Sequence, residues 1–138
     1  MNKRKLPTTI GILVGLDLVS KYVFYDLKYL EHSFFVTPAF NTGISRSLPL
    51  PYLLIILVSC IGIGAIVRLY SKKKIGRIIT GMLLSGTIGN FIDRVIYGGV
   101  RDFIDIQLFN FPIFNFADIM LTLGVGFRIY QVILEKRK

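Results

Sequence analysis

The chain alternates between long apolar stretches and short charged ones, and four of the apolar stretches approach the length that crosses a bilayer as a helix, about 20 residues. The first runs over about 6–27, with Pro7 suited to an opening helical turn and with Asp17 and Lys21 inside it. The second, about 48–67, carries no charge at all. The third, about 78–96, meets Asp93 and Arg94 near its end, and the fourth, about 116–134, opens around Asp118 and contains Arg128. The pattern predicts an all-α integral membrane protein, a bundle of four transmembrane helices forming a single domain over 1–138. The apolar start is not read as a cleaved leader: Asp17 and Lys21 arrive too early, and no small-residue cleavage site follows.

Between the first two helices, about 28–47, the run Ser33-Phe34-Phe35-Val36-Thr37 before Pro38 predicts a short extended piece or hairpin. This segment is too apolar for a solvated loop, so it is expected to form a partly buried cradle on the membrane surface. The segment between the last two helices opens with Gly98-Gly99 and turns again at Pro112.

Composition sharpens this picture. Of the 138 residues, 53% are hydrophobic and 18% charged, and mean hydropathy is +0.62, whereas a soluble domain is about 25% charged. So apolar a chain does not stay disordered. His32 and Cys60 are its only histidine and cysteine, too few for a disulfide framework or a zinc site, and neither metal nor other cofactor is expected. His32 reads as an interfacial side chain and Cys60 as packing. The net charge of +9 falls into three clusters, Lys3-Arg4-Lys5, Arg68 with Lys72-Lys73-Lys74 and Arg77, and Arg128 with Lys136-Arg137-Lys138. Clusters between apolar stretches are membrane flanks rather than a nucleic-acid surface. They hold twelve of the 17 Lys/Arg, against four in the other two connections, so the positive-inside rule puts both termini in the cytoplasm. Six of the eight acids, Asp26, Glu31, Asp93, Asp102, Asp105 and Asp118, then lie at the outer boundary.

Two carboxyl groups that share one proton can hydrolyse a peptide bond without a covalent intermediate: one takes a proton from water, the other protonates the carbonyl oxygen. The pair must come from different backbone segments and face one water. Asp102, after the glycine turn, and Asp118, in a first helical turn that favours an anion, meet that need, with Pro112 available to return the chain. Asp93 and Asp105 compete for the role, and any of these acids also suits a helix cap or an interfacial charge. Asn90, Asp93 and Arg94 share a helix face; Arg94 suits both substrate carbonyls and bracing Asp93. Asp17 and Lys21, four apart, neutralise each other. Gly11-x-x-x-Gly15 has the spacing of a close helix contact. A rival reading is a small non-enzymatic transporter or assembly factor that uses Asp17 and Lys21 at mid-depth.

Five blocks in order resemble the lipoprotein signal peptidase (signal peptidase II) family. They are Asp17-Leu18-Val19-Ser20-Lys21, Asn41-Thr42-Gly43-Ile44-Ser45, Gly89-Asn90-Phe91-Ile92-Asp93-Arg94, Gly99-Val100-Arg101-Asp102-Phe103-Ile104-Asp105 and Phe114-Asn115-Phe116-Ala117-Asp118. The chain departs from the family at Arg46-Ser47, where an aromatic residue and a small one are usual, and at Leu84-Ser85-Gly86-Thr87, where paired small residues are commoner. The resemblance implies four transmembrane helices with an extended outer cradle and an aspartic endopeptidase of the bacterial cytoplasmic membrane. Its substrate would be a prolipoprotein cut just before a diacylglyceryl-modified cysteine. It also implies Asp102 and Asp118 as the catalytic pair, Asn41, Asn90, Arg94 and Asn115 as substrate-binding residues, and Asp17, Lys21, Asp93 and Gly43 as structural ones. The partners implied are the prolipoprotein and membrane lipid, and a monomer suffices for the chemistry.

Overall fold

The computed structural model describes residues 5–31, 33–43 and 51–137. Helix α1 (Lys5–Lys21) continues as a wider π-helical turn over Tyr22–Asp26; strand β1 (Val36–Asn41), helices α2 (Tyr52–Ser71) and α3 (Arg77–Tyr97), strand β2 (Val100–Ile104) and helix α4 (Phe116–Lys136) follow. α1 with its π-turn, α2 and α4 are long and apolar enough to cross a membrane. Their large apolar side chains point outward: Leu53, Leu57 and Ile61 on α2 and Val125, Phe127 and Ile129 on α4 are all exposed. The protein is thus mostly helical, with three candidate spans among the described residues where the sequence pattern predicts four. α3 falls short because it carries Thr80, Ser85, Thr87, Asn90, Asp93 and Arg94, yet Thr80, Ser85, Asn90 and Asp93 are buried. Its polar face is turned into the bundle, where α3 packs on α1, α2 and α4.

The second helix lies later than the sequence pattern suggests. Pro51 stands in extended conformation at its N-cap, and the helix runs on through Arg68 to Ser71. A long cationic side chain can extend toward the interface from within a span, so Arg68 does not end it. The expected start at 48 lies outside the described residues, as do His32, Ser45, Arg46 and Ser47.

The extended segment forms, but not as a hairpin with itself. β1 pairs antiparallel with β2, with Ala39 opposite Asp102 and Asn41 opposite Val100. The register breaks between Val36 and Ala39, around Pro38, which has no N–H for the ladder. The preceding residues are spent on turns, with Lys28 and Leu30 at positive φ. The cradle is therefore a two-stranded sheet drawn from both connecting segments. β2 starts after Gly98, which ends α3 at φ 77°, a left-handed conformation glycine adopts without strain. The stretch after β2 returns to make a bridge between Ile104 and Phe114.

Close helix contact occurs at α3, not at Gly11 and Gly15, where an added Cβ would meet nothing within 4 Å. At Gly86 it would sit 2.5 Å from the Ala117 carbonyl oxygen, and at Gly89 it would collide with the Asp17 carboxylate. Gly89→Ala is expected to cost about 1–3 kcal/mol, as overpacking does, and Gly15→Ala to be near neutral. Thermal unfolding of the two variants in detergent checks this.

Candidate active site

Asn115 organises the site. It precedes α4 as its N-cap, with its side-chain oxygen accepting from the Asp118 backbone N–H at 3.0 Å. Asp118 Oδ2 accepts in return from the Asn115 backbone N–H at 3.2 Å. This reciprocal capping box fixes the first turn of α4. The Asn115 amide nitrogen is left free to reach outward, and it donates to Asp102 Oδ1 at 2.7 Å and to Asn90 Oδ1 at 3.1 Å. One residue thus ties the carboxyl on β2 to the carboxyl on α4.

Asn90, on α3, completes the frame. Its Nδ2 donates to Asp118 Oδ1 at 2.8 Å, and its Oδ1 accepts from Lys21 Nζ at 3.0 Å. An ammonium only donates, so Lys21 fixes which end of the Asn90 amide faces Asp118. Both Asp118 oxygens therefore accept from N–H donors. Asp102 is buried on β2; burial first, and then the Asp118 charge, push its carboxyl up to about 7, against hydrogen bonds from Asn115 and Asn41 that pull it down. The two carboxyls sit in different environments, the condition that separates acid from base.

Both carboxyls line a cavity of about 700 Å³, together with Asn41, Gly43, Asn90 and Arg94. Its other walls are apolar apart from Thr42 and Thr122, with Phe40 and Val100 from the sheet, Phe111 and Phe114 from the returning loop, and Ile119 and Leu123 from α4. Asn41 Oδ1 accepts from the Gly43 backbone N–H at 3.0 Å, which shapes the end of β1.

Behind the cavity lies an ionic cluster in which Asp17, Lys21 and Asp93 are fully buried. Lys21 pairs with Asp17 at 2.7 Å and reaches Asp93 at 3.4 Å. Asp17 Oδ1 also accepts from the Ala117 backbone N–H at 2.9 Å, so α1 holds the first turn of α4 directly. Asp93 accepts from the Arg101 backbone N–H at 3.0 Å and guanidinium at 2.8 Å, and Arg101 continues to Asp26. Arg101 lies over the Tyr97 ring, 4.3 Å from its centroid.

Of the residues singled out by sequence, Asp102, Asp118, Asn41, Asn90, Arg94 and Gly43 meet at the cavity, and Asn115 bonds three of them, Asp102, Asp118 and Asn90. Asp17, Lys21 and Asp93 lie behind it, Lys21 joining the other two and touching Asn90. Asp105, the competing acid, is turned away, with Oδ1 accepting from the Gln107 N–H at 2.9 Å. Arg101, not Arg94, braces Asp93. Sequence reasoning missed Arg101 and Asp26, because an ion pair across a glycine turn and another 75 positions apart leave no periodic trace.

Similarity to known proteins runs along almost the whole chain. The profile of the family described as signal peptidase (SPase) II matches residues 9–134. A lipoprotein signal peptidase of Brevibacillus brevis is 34% identical over 142 residues, covering 93% of this chain and 94% of that protein. One from Enterococcus faecalis is 35% identical, covering 92% and 86%. A solved structure described as a bacterial membrane enzyme, obtained by the in meso method at 2.3 Å resolution, superposes with a TM-score of 0.80 at 28% identity, covering 97% of this chain and 90% of that one.

Proposed function

The chain belongs to the signal peptidase II family and is a membrane peptidase that processes lipoprotein signal peptides; on that premise we propose that it cleaves prolipoproteins just before a diacylglyceryl-modified cysteine, using a water activated by Asp102 and Asp118. The observation that carries this reading is the shared partner: Asn115 bonds both carboxyls at the wall of one cavity.

Asp118 acts as the base, its two oxygens held in place by the Asn90 amide and the Asn115 backbone N–H. Asp102 carries the shared proton. Water attacks the carbonyl carbon; its proton passes to Asp118, and the Asp102 proton passes to the carbonyl oxygen, leaving a neutral gem-diol. When the C–N bond breaks, Asp118 returns its proton to the departing nitrogen and one diol hydroxyl returns its proton to Asp102, which restores the starting pair. Arg94 and Asn41, at the cavity wall, are assigned to substrate carbonyls. Gly43 shapes the end of β1, while Asp17, Lys21 and Asp93 hold the frame. Among the described residues the outer edge of β1 is unpaired, and it offers main-chain groups to an extended substrate segment.

α3 is the fourth span in this reading, its buried polar face tolerated because it meets polar partners inside the bundle. Residues 1–138 then form one domain in the bacterial cytoplasmic membrane, with both termini cytoplasmic and the dyad at the outer face, where a signal helix and its lipid can enter from the side. A monomer serves this chemistry.

The test is cleavage by the purified protein of a diacylglyceryl-modified prolipoprotein, with product masses locating the cut. Cleavage before the modified cysteine, and not in an unmodified control, is expected; a cut elsewhere, or none, would refute the reading. kcat/KM, which reports the free enzyme, is expected to fall above pH 7 as Asp102 loses the shared proton. A rate unchanged to pH 9 would contradict this role for Asp102.

A further inference from the structure

A second cavity, of about 1230 Å³, opens at the end of the bundle remote from the dyad, and the reaction described above does not use it. Its walls come from the turn between α2 and α3 and from the last turns of α4. Lys73, Lys74, Arg77 and Arg137 contribute four cations, and Glu135 is the one acid of the lining. Glu135 is already paired with Arg128, at 3.5 Å. Among the described residues, none of the four cations has a carboxylate within ion-pair distance. The N-terminus of α3 adds to the positive potential: Gly76 caps it without a side-chain hydrogen bond, and its first turn has no acid.

The same cavity has an apolar side. Ile75 and Leu134 line it, and from Leu134 the exposed Tyr130 and Phe127 continue along α4 at helical spacing. Ile78, next to Arg77, is 74% exposed. α3 rises about 30 Å over its length, the thickness of the hydrocarbon core, so the two cavities open at opposite membrane surfaces. An uncompensated basic cluster above an apolar track, at the surface where the basic flanks gather, matches a phosphate carrying acyl chains; a free phosphate has no use for the track.

We propose that this cavity binds the phosphate headgroup of an anionic phospholipid, with Lys73, Lys74, Arg77 and Arg137 around the phosphate and an acyl chain along Leu134 and Tyr130. Such a lipid joins the α2–α3 turn to the end of α4 and holds the bundle from the surface opposite the dyad.

The experiment uses the full chain, delipidated in detergent, with lipid binding read by native mass spectrometry and by the shift in unfolding temperature. The probes are dioleoylphosphatidylglycerol, dioleoylphosphatidylcholine and inorganic phosphate. The variants are K73Q/K74Q/R77Q, a control K3Q/R4Q/K5Q that removes equal charge elsewhere, and Leu134→Gln, which makes the acyl track polar and leaves every charge in place. Wild type and control are expected to retain phosphatidylglycerol over phosphatidylcholine, with binding at least tenfold weaker in the cavity triple variant and also reduced by Leu134→Gln. Undiminished binding in the cavity variant would overturn the proposal, and so would equal losses in the control, which would mean diffuse attraction. Protection by inorganic phosphate matching that of phosphatidylglycerol would overturn the lipid assignment. Lys73, Lys74, Arg77 and Leu134 are exposed, and monodisperse elution with unchanged helix content verifies the folding of every variant.

Discussion

Asp102→Asn is expected to unfold at a higher temperature than wild type at pH 8. Burial and the nearby Asp118 charge hold the folded Asp102 at about 7, against 3.8 for an ordinary aspartate. The contribution of Asp102 to stability is therefore full below about pH 3.8 and is lost as pH rises toward 7, where Asp102 ionises inside the fold. The asparagine never ionises, and it can still present an oxygen to the Asn115 amide. The gain is about 4 kcal/mol at most, reached above pH 7 and shrinking to nothing near pH 4. Unfolding midpoints of both proteins between pH 4 and pH 8 check this; an asparagine variant less stable than wild type at pH 8 would mean that Asp102 is held as a carboxylate.

Lys21→Met is expected to cost about 3–5 kcal/mol, the usual penalty for removing one partner of a buried ion pair. The loss strands Asp17 and takes from Asp93 one of its two cations. It also frees the Asn90 amide, whose orientation depends on the ammonium, so the remaining folded protein should be impaired in catalysis. Asp17→Asn alone should destabilise as well, by leaving the ammonium only its longer ion pair with Asp93 and by weakening the bond that residue 17 accepts from the Ala117 N–H. The double variant should recover part of the stability, because the two residues act as one unit. Folded yield and unfolding temperature of the three variants measure the cycle. A Lys21→Met protein as stable as wild type would show that the cluster does not hold α1, α3 and α4 together.

The helices and the acids were legible in the sequence for different reasons. α1, α2 and α4 announce themselves by length and apolarity, and the positive clusters mark their ends. α3 is legible as a helix over about 78–96 with Asn90, Asp93 and Arg94 on one face, but the partners of Asn90 and Asp93 on α1, β2 and α4 are not. β2 carries no strand signal of its own, since its pairing with β1 is fixed by a contact about 60 positions away and by the glycine turn at Gly98. Asp102 and Asp118 were visible as acids at two turns, but their competition with Asp93 and Asp105 could not be settled by spacing. It turns on Asn115, whose amide reaches β2 only because the loop after β2 returns through the Phe114 bridge. The bracing of Asp93 by Arg101 belongs to the same class, a contact set by three-dimensional return of the chain.

The central claim is that one water is activated between Asp102 and Asp118, and cleavage of a diacylglyceryl-modified prolipoprotein by purified wild type, Asp102→Asn and Asp118→Asn tests it most directly. The account predicts product from wild type and a fall of about 10²–10⁴-fold or more in each variant, with both variants folded and membrane-inserted; cleavage by either variant at close to the wild-type rate would contradict it.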